Sequence, residues 1–161
     1  MSTKYCGYCG KVLKVNLTDR SVSEYPFSDK DREKYLGGKI MAAKIIADHI
    51  KGKIDPLSEE NVIVVTTGPL NALGAPCSSR FNTSTISPLT GYYTSSNCGG
   101  NFGMSLKRAG YDALIITGKS EEKVYLKDLY RACGRYIEKD KVLAEEIRKQ
   151  ASLNSKLREA N

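Results

Sequence analysis

The sequence predicts an α+β fold, a mixed or antiparallel sheet platform with packed helices, followed by a helical C-terminal tail. Three observations predict it. Short β-branched or alternating apolar runs at 13–17, 61–67 and 111–117 are each bounded by turn residues, as strands are. Between the first two of these runs lies a stretch with helical apolar spacing. From about Asp128 the composition shifts, and 139–161 lacks Gly and Pro and is rich in helix formers. The expected organisation is therefore one domain over 1–127 and a tail over 128–161.

The elements follow in order. Leu13, Val15 and Leu17 alternate with Lys14 and Asn16, which reads as a half-buried strand. Thr18-Asp-Arg-Ser21 is turn-like, and Val22 to Tyr25 can return as the second strand of a hairpin. Ser28 ahead of Asp29 and Asp31 marks a helix start. Leu36, Ile40, Ala43, Ala47 and Ile50 then repeat at helical spacing and are expected to form the packed face, with Gly37 and Gly38 kinking or delaying the helix. The run NVIVVTTGPL is continuous and β-branched, the pattern of a strand buried on both faces. RFNTSTISPLTG reads as a strand broken by Pro88 and Gly91. SSNCGGNFGMSLKRAG reads as a small-residue loop entering a helix, which Gly110 ends in the left-handed conformation. YDALIITG is a third core strand, and KVYL a short last one. In the tail, Leu143 and Ile147, and Leu153 and Leu157, stand four apart without one clean stripe, as expected of a mostly solvated helix that docks on a partner.

The chain is 161 residues long, 40% hydrophobic and 27% charged, which suits a soluble globular protein with a real core. No run approaches the ~18 apolar residues of a membrane span, and the first residues lack an apolar signal core, so the expected compartment is the cytoplasm. The formal charge of +7 is spread without a block of five like charges. With no zinc-finger spacing, basic zipper or aromatic-basic RNA-recognition signature, nucleic acid is not an expected partner. Five cysteines, an odd count, point to reduced thiols.

Three stretches offer chemistry. Cys6 and Cys9 form a C-x-x-C pair that supplies two thiolates to zinc or iron, or a redox dithiol. A tetrahedral site needs four ligands and no second pair exists, so an incidental pair stands beside that reading. In GPLNALGAPCSSRF, two serines and Arg80 suit phosphate, because a guanidinium is a planar fork for charge-assisted bonds; a solvated surface arginine is the alternative. In SSNCGG, the small residues Cys98, Gly99 and Gly100 let a ligand approach the main chain, and Asn97 offers a carbonyl to a hard cation. Lys107 and Arg108 in the last turn of the following helix are explained by the helix dipole alone. No Ser-His-Asp set, H-E-x-x-H or P-loop string is present, so no catalytic residue is assigned, and an anion-binding surface of this kind implies a bound cofactor or another chain.

Taken in series, YCGYCGKVLKVNLTD, YLGGKIMAAKII, TTGPLNALGAPCSSRF, SPLTG and SSNCGGNFGMSLKRAGYDALIITGKSEEKVYL resemble the amino-terminal domain of the tungsten-dependent aldehyde:ferredoxin oxidoreductases, from about Tyr5 to Leu126. The resemblance implies a tungsten or molybdenum bis-molybdopterin centre, magnesium bridging the pterin phosphates, and a [4Fe-4S] cluster whose ligands lie outside this chain. It also implies oxidation of aldehydes to carboxylic acids with electrons passed to ferredoxin. By the same resemblance Arg80 contacts a pterin, and Asn97, Cys98, Gly99 and Gly100 form a pterin loop with the Asn97 carbonyl facing magnesium. Cys77 and Cys98 depart from the small residues usual in the family. Without cluster ligands or a second half-platform, the chain is expected to act with a C-terminal catalytic chain or as a homodimer, and not to turn over aldehyde alone. A free-standing molybdopterin carrier is the alternative.

Overall fold

The computed structural model describes residues 3–121 and 124; the expected helical tail over 128–161, and most of KVYL, lie outside them. The element order is β1 (Val12–Asn16), β2 (Ser21–Glu24), α1 (Asp29–Tyr35), α2 (Gly38–His49), β3 (Val62–Thr67), β4 (Phe81–Ile86), β5 (Tyr93–Cys98), α3 (Phe102–Arg108) and β6 (Ala113–Thr117). The strands form one six-stranded sheet in the order β2-β1-β6-β3-β4-β5. Only the β1–β6 pairing among them is parallel, so the sheet is mixed, as the sequence predicts.

The central strands are those with the most apolar sequence. β3 lies between β6 and β4, and its residues are buried apart from Ile63. Val12, Val62, Val64, Ala113 and Ile115 line one sheet face and pack on Met41, Ala42, Ile45 and Ile46 of α2, with Phe27 closing the cluster. Burying side chains of this size contributes about 1.5–3 kcal/mol each, the main favourable term in the fold. Val65, Leu106 and Leu114 are also buried, outside that cluster.

Two expectations, one for a helix and one for a loop, differ from the structure. The stripe Leu36, Ile40, Ala43, Ala47 and Ile50 is not the buried face: Leu36 is 58% and Ile40 51% exposed, and Ala47 is exposed too. α1 stops at Tyr35, Leu36 takes φ +48° and Gly38 φ +57°, so residues on either side of this break share no helical frame. α2 is apolar on more than one side, and the side that meets the sheet is Met41, Ala42, Ile45 and Ile46. The second difference concerns SSNCGG, whose first four residues belong to strand β5 and not to a loop.

Helix boundaries otherwise follow local chemistry. The Ser28 hydroxyl accepts from the Asp31 N–H at 3.2 Å while Asp31 accepts from the Ser28 N–H at 3.0 Å, a reciprocal capping box. The Ser28 hydroxyl also donates to Asp31 Oδ2 at 2.6 Å, and this bond first, with the Ser28 N–H behind it, holds the Asp31 carboxyl below its usual range. Ser28→Ala is expected to cost about 1 kcal/mol, read as a lower urea midpoint at unchanged slope. α3 ends at Arg108 with Ala109 as its cap, and Gly110 follows at φ +92°, the left-handed position expected of it.

Candidate functional site

The sheet register brings two of the sequence motifs to one place. β4 and β5 pair with Phe81 opposite Cys98 and Asn82 opposite Asn97. Arg80, one residue before Phe81, and Gly99, one residue after Cys98, therefore leave the hairpin at the same end. The hairpin turn holding Pro88 and Gly91 is at the other end, closed by the Ser87 N–H to Tyr92 carbonyl bond at 2.8 Å. β5 is the edge strand, and all six of its residues are exposed.

Arg80 is exposed and takes part in none of the ion pairs among the described residues. A Cβ added at Gly99 or Gly100 would meet no heavy atom within 4 Å. Gly100 has φ +100°, which explains its glycine; Gly99 has neither a left-handed φ nor a close neighbour, so no feature of its own backbone requires one. The main chain here is open to a ligand. The neighbouring strand β4 carries buried polar side chains, Asn82 and Ser84. Asn82 donates from Nδ2 to Ser84 Oγ at 2.6 Å, while its Oδ1 has no partner among the described residues.

The loop 68–80 is held from three sides by backbone lacking side chains. A Cβ at Gly7 would come within 2.7 Å of the Pro69 carbonyl oxygen, one at Gly37 within 2.7 Å of the Thr67 oxygen, and one at Gly103 within 2.9 Å of Asn71 Nδ2 and 3.2 Å of the Ser79 oxygen. The loop also holds two left-handed non-glycine residues, Ala72 at φ +64° and Cys77 at φ +57°, each costing about 1–3 kcal/mol. Cys77 and Cys98 are exposed free thiols.

The C-x-x-C pair is placed elsewhere, at the junction of the N-terminal segment with α3. Cys6 is exposed and Cys9 half-buried. The Cys9 and Gly10 N–H groups donate to the two Asp112 carboxylate oxygens at 2.9 and 2.8 Å, and the Cys9 thiol donates to the Lys107 carbonyl at 3.3 Å. Burial, and secondarily the Asp112 charge, push the Cys9 thiol up, so it stays protonated near neutral pH. Among the described residues no group of three or more His, Cys, Asp or Glu is placed to hold a metal ion.

Lys107 corrects an expectation. It is not an ordinary helix-end charge, for its side chain is 4% exposed and pairs with Asp112 at 2.6 Å. Its Nζ also donates to the Gly7 carbonyl at 2.5 Å, tying α3 to the N-terminal turn. Arg108 stays exposed, in keeping with the dipole reading. Sequence reasoning missed this pair, as it missed Asn71; the signal for Asn71 was a lone amide in an otherwise apolar turn, GPLNAL.

A model of the family described as aldehyde ferredoxin oxidoreductase, N-terminal domain, matches residues 12–151. The chain belongs to the aldehyde ferredoxin oxidoreductase family. It is 40% identical over 151 residues to a tungsten-containing aldehyde ferredoxin oxidoreductase of Pyrococcus abyssi, a match covering 88% of this chain and 25% of that protein. It is 35% identical over 122 residues to an aliphatic sulfonate oxidoreductase, WOR-like subunit, of Pyrococcus furiosus, covering 74% of this chain and 19% of that one. Among solved structures, the active site complex BamBC of benzoyl coenzyme A reductase, in complex with 1,5 dienoyl-CoA, superposes with a TM-score of 0.72 at 39% identity. That match covers 74% of this chain and 18% of the other. This aldehyde ferredoxin oxidoreductase-like chain spans about a quarter of the length of the first curated relatives it matches. Among the described residues no helix is long and apolar enough to cross a membrane.

Proposed function

We propose that this chain is a metal-pterin binding domain or small subunit of an aldehyde:ferredoxin oxidoreductase-like enzyme, not active alone. The observation that carries the reading is the open end of the β4–β5 hairpin, where an exposed Arg80 and the bare backbone of Gly99 and Gly100 leave together. These residues fit a phosphate-bearing pterin: the guanidinium supplies a charged fork, and the glycines let the group lie against the main chain. Asn97 and Cys98 complete the contact, with the Asn97 carbonyl offered to magnesium. When bound, a tungsten or molybdenum bis-pterin centre supplies the two-electron oxidation of aldehyde to carboxylic acid. This chain's residues would bind and orient it, and a [4Fe-4S] cluster held elsewhere would supply the electron path to ferredoxin.

The tungsten-containing relatives support the metal, and the BamBC complex and WOR-like subunit support a partner chain, catalytic or a second copy. Cys6 and Cys9 are the first thiols to suspect should iron be found, although Cys9 is already engaged with Lys107. A cytoplasmic site of action suits this chemistry.

The test is elemental analysis of the anaerobically purified chain, with pterin released by denaturation and measured by fluorescence. Tungsten or molybdenum together with pterin is expected; a folded chain isolated from metal-replete cells with neither sinks the reading.

A further inference from the structure

The loop that presents Arg80 is long, irregular and strained, so something must fix its two ends. Asn71 is the residue placed to do so. It is 5% exposed, and its carboxamide reaches both ends of the loop. Oδ1 accepts from the Gly68 N–H at 3.0 Å, and Nδ2 donates to the Arg80 carbonyl at 2.9 Å. One side chain therefore ties the residue that follows β3 to the residue that precedes β4, closing the segment between them.

The same carboxamide also meets α3. Gly103, buried in the first turn of that helix, comes so close that a Cβ there would lie 2.9 Å from Asn71 Nδ2. Phe102 beside it packs on Phe81 with ring centroids 4.9 Å apart. α3 begins at Phe102, with Asn101, its cap, standing between it and Gly99-Gly100. Asn71 thus sits where the Arg80 loop and the glycine turn are set against each other.

We propose that Asn71 is a positioning residue for anion binding at the hairpin end, holding the Arg80 backbone and keeping α3 at the distance that leaves the glycine turn open. The inference rests on the metal-pterin reading of that end. The physical case is that a buried carboxamide with both ends satisfied defines one geometry, whereas its loss leaves the Gly68 N–H and the Arg80 carbonyl without their partner. A loop carrying Ala72 and Cys77 at positive φ would then relax towards unstrained conformations and take Arg80 with it.

The experiment measures binding of inorganic pyrophosphate, a two-phosphate probe, to the full chain by calorimetry, together with hydrogen exchange over 68–80. Six proteins are compared: wild type, Asn71→Ala, Arg80→Ala, Gly103→Ala, the Asn71→Ala/Gly103→Ala double variant, and Ile45→Val as a stability control in the α2 core. Asn71→Ala is expected to weaken pyrophosphate about tenfold and to speed exchange in the loop, at a temperature where it is fully folded. Ile45→Val is expected to lower Tm and leave the affinity unchanged. Gly103→Ala should weaken binding in the wild-type background and do so less in Asn71→Ala, because the amide it would strike is gone.

Wild-type affinity in folded Asn71→Ala, with binding lost in Arg80→Ala, overturns the positioning role and leaves the site reading standing. A parallel loss of affinity in Ile45→Val reduces Asn71 to a stabilising residue and overturns it too. A wild-type chain that does not bind pyrophosphate removes the anion site itself and the inference with it. Should Asn71→Ala fail to fold, Asn71→Asp takes its place; it keeps the acceptor for the Gly68 N–H and loses the donor to Arg80, and unchanged affinity there again overturns the proposal.

Discussion

Lys107→Met is expected to destabilise the fold by about 3–5 kcal/mol, the cost of leaving one member of a buried ion pair alone. Lys107 and Asp112 side chains are 4% and 2% exposed, and their charged atoms are 2.6 Å apart. Methionine retains most of the stem but leaves the Asp112 carboxylate, among the described residues, with the Cys9 and Gly10 N–H groups as partners, and the Gly7 carbonyl without the Lys107 donor. Because folded domains are stable by only about 5–15 kcal/mol, this is a large fraction of the total. Urea unfolding followed by circular dichroism checks it, with a lowered midpoint and an unchanged slope as the expected result. The double variant Lys107→Met with Asp112→Asn removes the orphaned charge and is expected to recover part of the loss. A Lys107→Met protein as stable as wild type would show that the pair carries no weight.

That pair also shows where a sequence stops being readable. Lys107 and Asp112 are five apart across the turn at Gly110, and the third member of the cluster is the carbonyl of Gly7, a hundred residues away. Local reasoning sees a basic residue near a helix end and is satisfied. The strands fare better, because β3 and β6 are buried at most of their positions and their apolar runs record it. β5 is an edge strand exposed at every position, so burial imposes no pattern on Tyr93-Thr-Ser-Ser-Asn-Cys98, and it reads as a polar loop. The α2 stripe was ambiguous for the opposite reason, apolar residues standing on several sides of one short helix. Of the candidate site, the chemistry of Arg80 and of the glycines was legible one motif at a time. Their meeting depended on the pairing of Phe81 with Cys98, which no local pattern encodes.

Arg80→Ala is the second large effect expected, and it falls on binding and not on folding. The side chain is exposed and outside the ion pairs among the described residues, so its removal should change stability by no more than about 0.5 kcal/mol. A hydrogen bond from a charged group contributes about 1.5–3 kcal/mol, so the loss predicts roughly 10–100-fold weaker retention of a phosphate-bearing pterin. Metal and pterin content per folded chain measures it, with thermal unfolding run in parallel. Arg80→Lys sharpens the result. It keeps the charge but replaces a planar fork by a point donor, so it should restore part of the load and not all of it. Equal loading of Arg80→Lys and wild type would mean that charge alone matters here, and full loading of Arg80→Ala would place the pterin somewhere other than the hairpin end.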